Sequence, residues 1–193
     1  MSLIFSNIAI ISSKFATDRN LRRLIDETDL MKEAINIDTL YDTMSSRLYN
    51  ISLRITGSRN DAEEIMHDSL LQYWRCRKKD EIKDLKGWLT SICIRKSIDR
   101  LRERHRRNVF LESYEDPALE ENSETELKYS IPEILEALSS LPDHYRSVIS
   151  LHLFEGYDYQ EISEMTGTNE STIRSLYMRG KQKLAATLKK IQS

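Results

Sequence analysis

The densest chemistry in this chain lies in Ser171-Thr172-Ile173-Arg174-Ser175, where hydroxyls and a guanidinium surround one apolar anchor. Hydroxyls both donate and accept hydrogen bonds, and a guanidinium donates in a fork that fits a guanine edge or a phosphate. At the start of a helix, such groups suit contact with base edges and the nucleic-acid backbone. Arg174, directly after Ile173 and three residues after Ser171, is placed to point away from a domain core.

The elements that must hold these residues are two short helices and a turn. Ile162 and Met165 share one side of the first helix, and Ile173, Leu176 and Tyr177 repeat that spacing in the second. Gly167 can end the first helix in the left-handed conformation, and Thr168 or Asn169 can cap the second. The pattern is a helix-turn-helix, whose second helix offers its N-terminal residues to a major groove. A plain helical hairpin would show the same turn, and the flank decides between them. After Ile173 come Arg174, Arg179, Lys181, Lys183, Lys189 and Lys190, with no acid as far as Ser193. A solvated helix face ordinarily mixes signs to gain i,i+4 pairs, whereas a surface that meets phosphates does not.

A second basic region, Arg95 to Arg107, sets seven Lys and Arg residues against Asp99 and Glu103. It ends a helix that begins near Leu85 and packs Trp88, Leu89, Ile92, Cys93, Ile98 and Leu101. Upstream, Leu40, Tyr41, Met44, Leu48, Ile51 and Ile55 form a helical stripe that stops at Thr56-Gly57-Ser58-Arg59-Asn60. Gly57 suits the helix end, and Asn60 or Asp61 the next N-cap. The following helix, Asp61 to Trp74, buries Ala62, Ile65, Met66, Ser69, Leu70 and Trp74. Asp61, Glu64, His67, Asp68 and Gln72 are left on a polar face with no internal use, either solvated or a partner surface. Between these helices lies a loop rich in both charges, Arg75 to Asp84.

The sign then flips: residues 111–128 are rich in Glu and Asp and poor in apolar side chains, the composition of a flexible acidic linker. That segment explains a net charge of only −2 in a chain with two basic helices. Beyond it, Ile131, Ile134, Leu135 and Leu138 share a face, Pro142 suits a first helical position, and a helix through Val148, Ile149, Leu151, Leu153 and Phe154 ends before Gly156. With 39% hydrophobic and 31% charged residues, five Gly and three Pro, the expectation is an all-α fold. It comprises two small helical domains joined by the acidic linker: an extension of unknown role at 1–37, a domain at 38–107, the linker at 108–130 and the helix-turn-helix domain at 131–193.

Cys76 and Cys93 make no disulfide framework, and with His67 they lack metal-ligand spacing, so no metal or cofactor is expected. The longest apolar run, Ile8 to Ile11, is too short to span a bilayer, and no basic stretch precedes it as a signal would require. A cytoplasmic protein without membrane insertion is the expectation. An enzyme is disfavoured because no nucleophile–base or paired-carboxylate constellation accompanies a Gly-rich phosphate loop. A helical adaptor is disfavoured by the two basic helices. A helix-turn-helix regulator acting without polymerase core is the alternative reading; it would need a dimer or effector domain.

Taken in order, Asp61-Ala62-Glu63-Glu64 through Leu70-Leu71-Gln72-Tyr73-Trp74, Gly87-Trp88-Leu89, Ser97-Ile98-Asp99-Arg100-Leu101-Arg102, Leu141-Pro142 and Tyr159-Gln160-Glu161-Ile162 resemble a bacterial sigma factor of the extracytoplasmic-function group. The resemblance covers about 38–107 and 130–190. It implies a protein that binds core RNA polymerase and directs promoter-specific initiation, with regions 2 and 4 reading the −10 and −35 elements. Asp61, Glu64, His67 and Asp68 would then face the β′ clamp, and the second domain would touch the β flap. Arg77, Lys78, Lys79, Arg95, Lys96, Arg100 and Arg104 would contact −10 DNA, and Gln160, Ser171, Thr172, Arg174, Ser175, Met178 and Lys181 the −35 element. Promoter DNA is thus a partner, and the resemblance leaves room for an anti-sigma factor. Three positions depart from the family pattern: His67 where Gln is usual, Arg95 where Asn is usual, and Leu176-Tyr177 where Arg-Leu is usual. A coil of about 20 residues reaches ~65–70 Å only when stretched, against ~70 Å between DNA sites two turns apart. The linker would therefore need a partner to hold it extended.

Overall fold

The apolar stripe of the first region becomes α1 (Ile37–Thr56), with Leu40, Met44, Leu48, Ile51 and Ile55 all buried. The structure is a computed structural model that describes residues 37–77, 79–108 and 129–191. The readings of 1–36 as an extension and of 109–128 as an acidic linker lie outside the described residues, as does Lys78. Every regular element among the described residues is helical, and the chain divides into two compact units.

In the first unit, α1 ends at Gly57, whose φ of 66° is the left-handed conformation and whose N–H donates to Leu53 O at 2.8 Å. The chain re-enters a helix at once. Ser58, in extended backbone, accepts from Asp61 N and caps α2 (Arg59–Arg75). The cap is therefore Ser58, not Asn60 or Asp61. Gly57 alone makes the reversal, so the next residue is already free to cap. Tyr41 leaves the buried stripe and is 43% exposed. Tyr73 fills the core position expected of Trp74, which is half-buried.

A single 3₁₀ turn (Lys79–Glu81) leads to Asp84, whose carboxylate accepts from Gly87 N at 2.9 Å at the start of α3 (Leu85–Asn108). α1, α2 and α3 pack on one another. Where α1 meets α3 the core carries a polar seam: Ser52 Oγ lies 2.9 Å from Cys93 Sγ, which also donates to Leu48 O, and Ser97 Oγ donates to Ser52 Oγ. These buried groups satisfy one another. Ile94 is also buried, and Ile92 and Leu101 are only half-buried.

The second unit starts with α4 (Ile131–Ser139), held by a reciprocal capping box between Ser130 and Glu133. It buries Ile134, Ala137 and Leu138; Ile131 and Leu135, expected on the same face, are exposed. Pro142 is the N-cap of α5 (Asp143–Ile149) rather than its first helical residue, and Pro132 is the proline in a first turn. Arg146 is buried, and donates to Leu141 O at 2.7 Å, Ser139 O at 3.3 Å and the Asp143 carboxylate. It thereby satisfies carbonyls left over at the end of α4. A π turn (Ser150–Phe154) follows, α6 (Tyr159–Thr166) is capped by Asp158 and Glu161, and α7 (Glu170–Ile191) closes the unit. Gly180 of α7 is buried against Tyr145 and Ile149 of α5, where a side chain would collide.

Candidate interaction faces

In the first unit, the polar face of α2 lies against α3. Asp61 accepts from Arg100 Nη1 at 2.6 Å and from Arg104 Nη2 at 2.5 Å. Glu64 accepts from both Nη atoms of Arg100, at 2.9 and 3.0 Å, and Asp68 accepts from Lys96 Nζ at 3.1 Å. This corrects the reading of that face as having no internal use: three of its acids hold three of the cations assigned to DNA. Folding brings residues 28 to 43 apart in the chain together, so helical periodicity could not reveal the match. Arg104 also donates to Thr56 O, at the end of α1.

The charges respond accordingly. Burial alone would raise the Asp61 carboxyl, but the hydrogen bonds and charges of Arg104 and Arg100 outweigh it and hold the group below its ordinary value. Glu64, exposed, is lowered by its hydrogen bond to Arg100 and by that residue's charge. The Arg100 guanidinium is raised in turn, chiefly by Glu64.

His67 does not join these α2–α3 ion pairs. Its ring stacks on Tyr41 at 6.0 Å between centroids, and Leu71, one turn further along α2, is 45% exposed. Tyr41, expected in the core stripe of the first helix, and Leu71, assigned to neither the buried nor the polar face of the second, are surface residues that the sequence reading missed. Arg77 and Arg95 are exposed. Lys79 Nζ lies 5.0 Å from the Tyr73 ring centre and 5.8 Å from that of Trp74, and Tyr73 meets Trp74 and Trp88 edge-on. The half-buried Trp74 beside a cation is a combination on which an unstacked base can settle, and Trp88, also half-buried, meets the same Tyr73 ring.

In the second unit the turn is formed as the sequence requires. Gly167, at φ 67°, closes α6 with its N–H on Ser163 O at 2.8 Å. Asn169, rather than Thr168, supplies the cap, its Oδ1 accepting from Ser171 N and Ser171 Oγ at 2.9 Å each. Ile173 and Tyr177 turn inward, while Ser171, Thr172, Arg174, Ser175 and Met178 are exposed. Residues 171, 174, 175 and 178 follow i, i+3, i+4, i+7 spacing and so share a face. Ser175 Oγ donates to Ser171 O at 3.0 Å, and Gln160 Nε2 to Glu164 at 3.2 Å.

Arg174 has partners here: Nε and Nη2 donate to Glu170 at 3.0 and 2.6 Å, and its guanidinium lies 5.1 Å from the Tyr159 ring centre. The recognition helix therefore does mix signs at its first turn, through an acid just before the basic run. Tyr159 in turn stacks on His152. Lys181 is half-buried, its ammonium lowered by burial, and it lies 5.4 Å from the ring centre of Tyr177. Burial, followed by the neighbouring Tyr159, pushes the Tyr177 hydroxyl up to about 12.

No group of His, Cys, Asp and Glu among the described residues is arranged to hold a metal ion, and no helix among them is long and apolar enough to cross a membrane.

These geometries agree with what comparison with known proteins finds. The family model of sigma-70 region 2 matches residues 40–107 and that of sigma-70 region 4 matches residues 131–184, together well over half of the chain. The ECF RNA polymerase sigma factor SigL of Mycobacterium tuberculosis is 26% identical over 163 residues, 82% of this chain and 92% of that protein. SigM of Bacillus subtilis is 26% identical over 79% of this chain and 94% of its own length. SigE of Mycolicibacterium smegmatis is 27% identical over 81% of this chain, but the match spans only 63% of that relative. Among solved structures, the sigma factor RpoE of Bartonella quintana, in its complex with the anti-sigma factor NepR, shares the fold. Its TM-score is 0.52 at 20% identity, covering 79% of this chain and 96% of that one. Two helical units matching regions 2 and 4 in order, the second with a formed helix-turn-helix, make this chain a member of the sigma-70 family, of its extracytoplasmic-function group.

Proposed function

We propose that the protein binds core RNA polymerase and directs it to promoters, reading the −10 element with its first unit and the −35 element with its second. The observation that carries this reading is the exposed face of α7, where Ser171, Arg174, Ser175 and Met178 sit on a capped helix N-terminus in a unit matching sigma-70 region 4. Ser171, Thr172, Arg174 and Ser175 meet base edges and phosphates there, with Gln160 and Lys181 flanking them. In the first unit Asp61, Glu64, His67 and Asp68 form the clamp-facing surface, extended by Tyr41 and Leu71. Arg77, Lys78, Lys79, Arg95, Lys96, Arg100 and Arg104 serve the −10 strand, and Trp74 and Trp88 offer flat faces for an unstacked base. The domains, 38–107 and 131–193, contain the matched regions 40–107 and 131–184 and are joined by the acidic segment 108–130. The reading also admits an anti-sigma factor as a partner, as in the complex of the solved relative.

Run-off transcription tests it. Purified chain added to core polymerase should produce a defined transcript from a subset of promoters that core alone ignores. A chain that binds a −35 duplex but yields no transcript with core would instead be a stand-alone regulator.

A further inference from the structure

The cations of α3 and the acids of α2 form a ladder. Lys96, Arg100 and Arg104 are spaced i, i+4, i+8, and they meet Asp68, Glu64 with Asp61, and Asp61 in reverse order along the antiparallel helix. Arg100 has both Nη atoms on carboxylates, so the fork it would offer a phosphate is already filled. The rungs differ in exposure: Asp61 keeps 18% of its side-chain surface, Asp68 50% and Glu64 60%. Exposed pairs of this kind are individually weak and easily exchanged, whereas the Asp61 rung anchors the two helices.

The structure assigns this ladder a regulatory role, in which the α2 carboxylates stand in for phosphates, occupying the α3 cations and lowering the free chain's affinity for nucleic acid until a partner engages the acids. It rests on the reading of α3 as a nucleic-acid face and of α2 as a partner face. By linkage, a partner that takes Glu64 and Asp68 frees Arg100 and Lys96 for DNA, and DNA bound to those cations frees the acids for the partner by the same factor. Recruitment to polymerase and grip on the promoter strand are then coupled within one unit, with no movement of backbone required.

The test uses the full chain without polymerase and a labelled single-stranded oligonucleotide of random sequence, titrated by fluorescence anisotropy across salt concentrations. Asp68→Asn frees Lys96 while leaving an exposed position isosteric, and circular dichroism checks that the helices persist. One freed phosphate contact adds ~0.7 to the log–log salt slope, so affinity at 0.1 M salt should rise about fivefold. Glu64→Gln should tighten binding in the same direction, by less, since Asp61 still holds Arg100. Adding Lys96→Gln to Asp68→Asn should cancel the gain. Glu63→Gln removes the same charge from an exposed position of α2 outside the ladder, and should leave affinity within twofold. Unchanged binding by Asp68→Asn would overturn the inference. An equal gain from Glu63→Gln would overturn it as well, by reducing the effect to net charge. Run-off transcription by the unaltered chain reports on the broader reading separately, so the two can fail independently.

Discussion

Arg100 Nη1 lies 2.6 Å from Asp61 Oδ1, a contact between residues 39 apart in the chain that ties the middle of α3 to the first turn of α2. Asp61 thus serves two partners at once, the helix N-terminus that favours its charge and the guanidiniums of Arg100 and Arg104. Asp61→Asn and Arg100→Met should each lower the stability of the first unit by ~1–2 kcal/mol. The double variant should lose less than the sum, because the two share one interaction. Urea unfolding followed by circular dichroism measures all three, and strict additivity would deny the contact a role in solution.

The same carboxylate sets an acid dependence. Asp61 is held below its ordinary value in the folded chain, so the unfolded chain binds more protons as pH falls, and stability rises with pH across that window. Its contribution is complete above the unfolded carboxylate value of ~3.9 and disappears as pH falls through the lower folded value. Asp61→Asn should therefore narrow its stability deficit as pH is lowered from 6 towards 3. Parallel stability curves for variant and parent would remove Asp61 from the acid response.

Gly180 gives a prediction opposite in sign to helix propensity. Alanine is favoured over glycine in a helix by ~1 kcal/mol. At this position, however, a Cβ would sit 2.9 Å from Ile149 Cδ1 and 3.3 Å from Tyr145 Cβ, and both neighbours are fully enclosed. Overpacking costs ~1–3 kcal/mol, so Gly180→Ala should destabilise the second unit. A raised melting temperature would show that α5 and α7 yield.

Arg174 is paired with Glu170, so a DNA contact by its guanidinium would require that pair to open. Arg174→Ala should cost ~1–3 kcal/mol at the preferred −35 sequence and flatten discrimination at one base pair if the guanidinium reads a base. A phosphate contact would instead weaken all duplexes alike and reduce the salt slope by ~1. Glu170→Gln should tighten binding in either case. Duplex titrations with single-base variants separate the two, and no loss on any duplex would mean that α7 is misassigned as the recognition helix.

Tyr41 and Leu71 are exposed and apolar, so truncating them should change stability by less than ~0.5 kcal/mol. If the α2 face meets the polymerase clamp, Tyr41→Ala and Leu71→Ala should weaken core binding several-fold in a pull-down. Core affinity equal to that of the parent would move the clamp surface elsewhere.

The helices and the helix-turn-helix were legible because they depend on local information: apolar spacing, Gly57 and Gly167 as left-handed stops, and capping side chains within a few residues. Sequence and structure part where a choice between neighbours is settled by tertiary contact. Tyr73 rather than Trp74 enters the core, and Ile131 and Leu135 stay outside it, although each fits the period. Ser58 takes the cap because Gly57 completes the reversal alone. The candidate faces were legible as charge patterns, acidic on α2 and basic on α3. That they neutralise each other was not, since nothing in either segment encodes the packing that aligns Asp68 with Lys96.

α7 is a single helix of 22 residues: its first turns carry the exposed recognition face, and Leu184 and Leu188, near its far end, are buried in the core of the unit. At 1.5 Å per residue it is a rod about 33 Å long. A tilt of about 5° about Leu184 and Leu188, ~22 Å from the first turn, would swing that turn by ~2 Å, more than half the ~3.4 Å spacing of successive nucleotides along a strand. If this face meets DNA as proposed, its register is set by the packing of Leu184 and Leu188, far from any base, together with that of Ile173 and Tyr177 beneath it. On that reading, substitutions at Leu184 or Leu188 would shift promoter choice as a change of aim, with every exposed side chain of the face left intact.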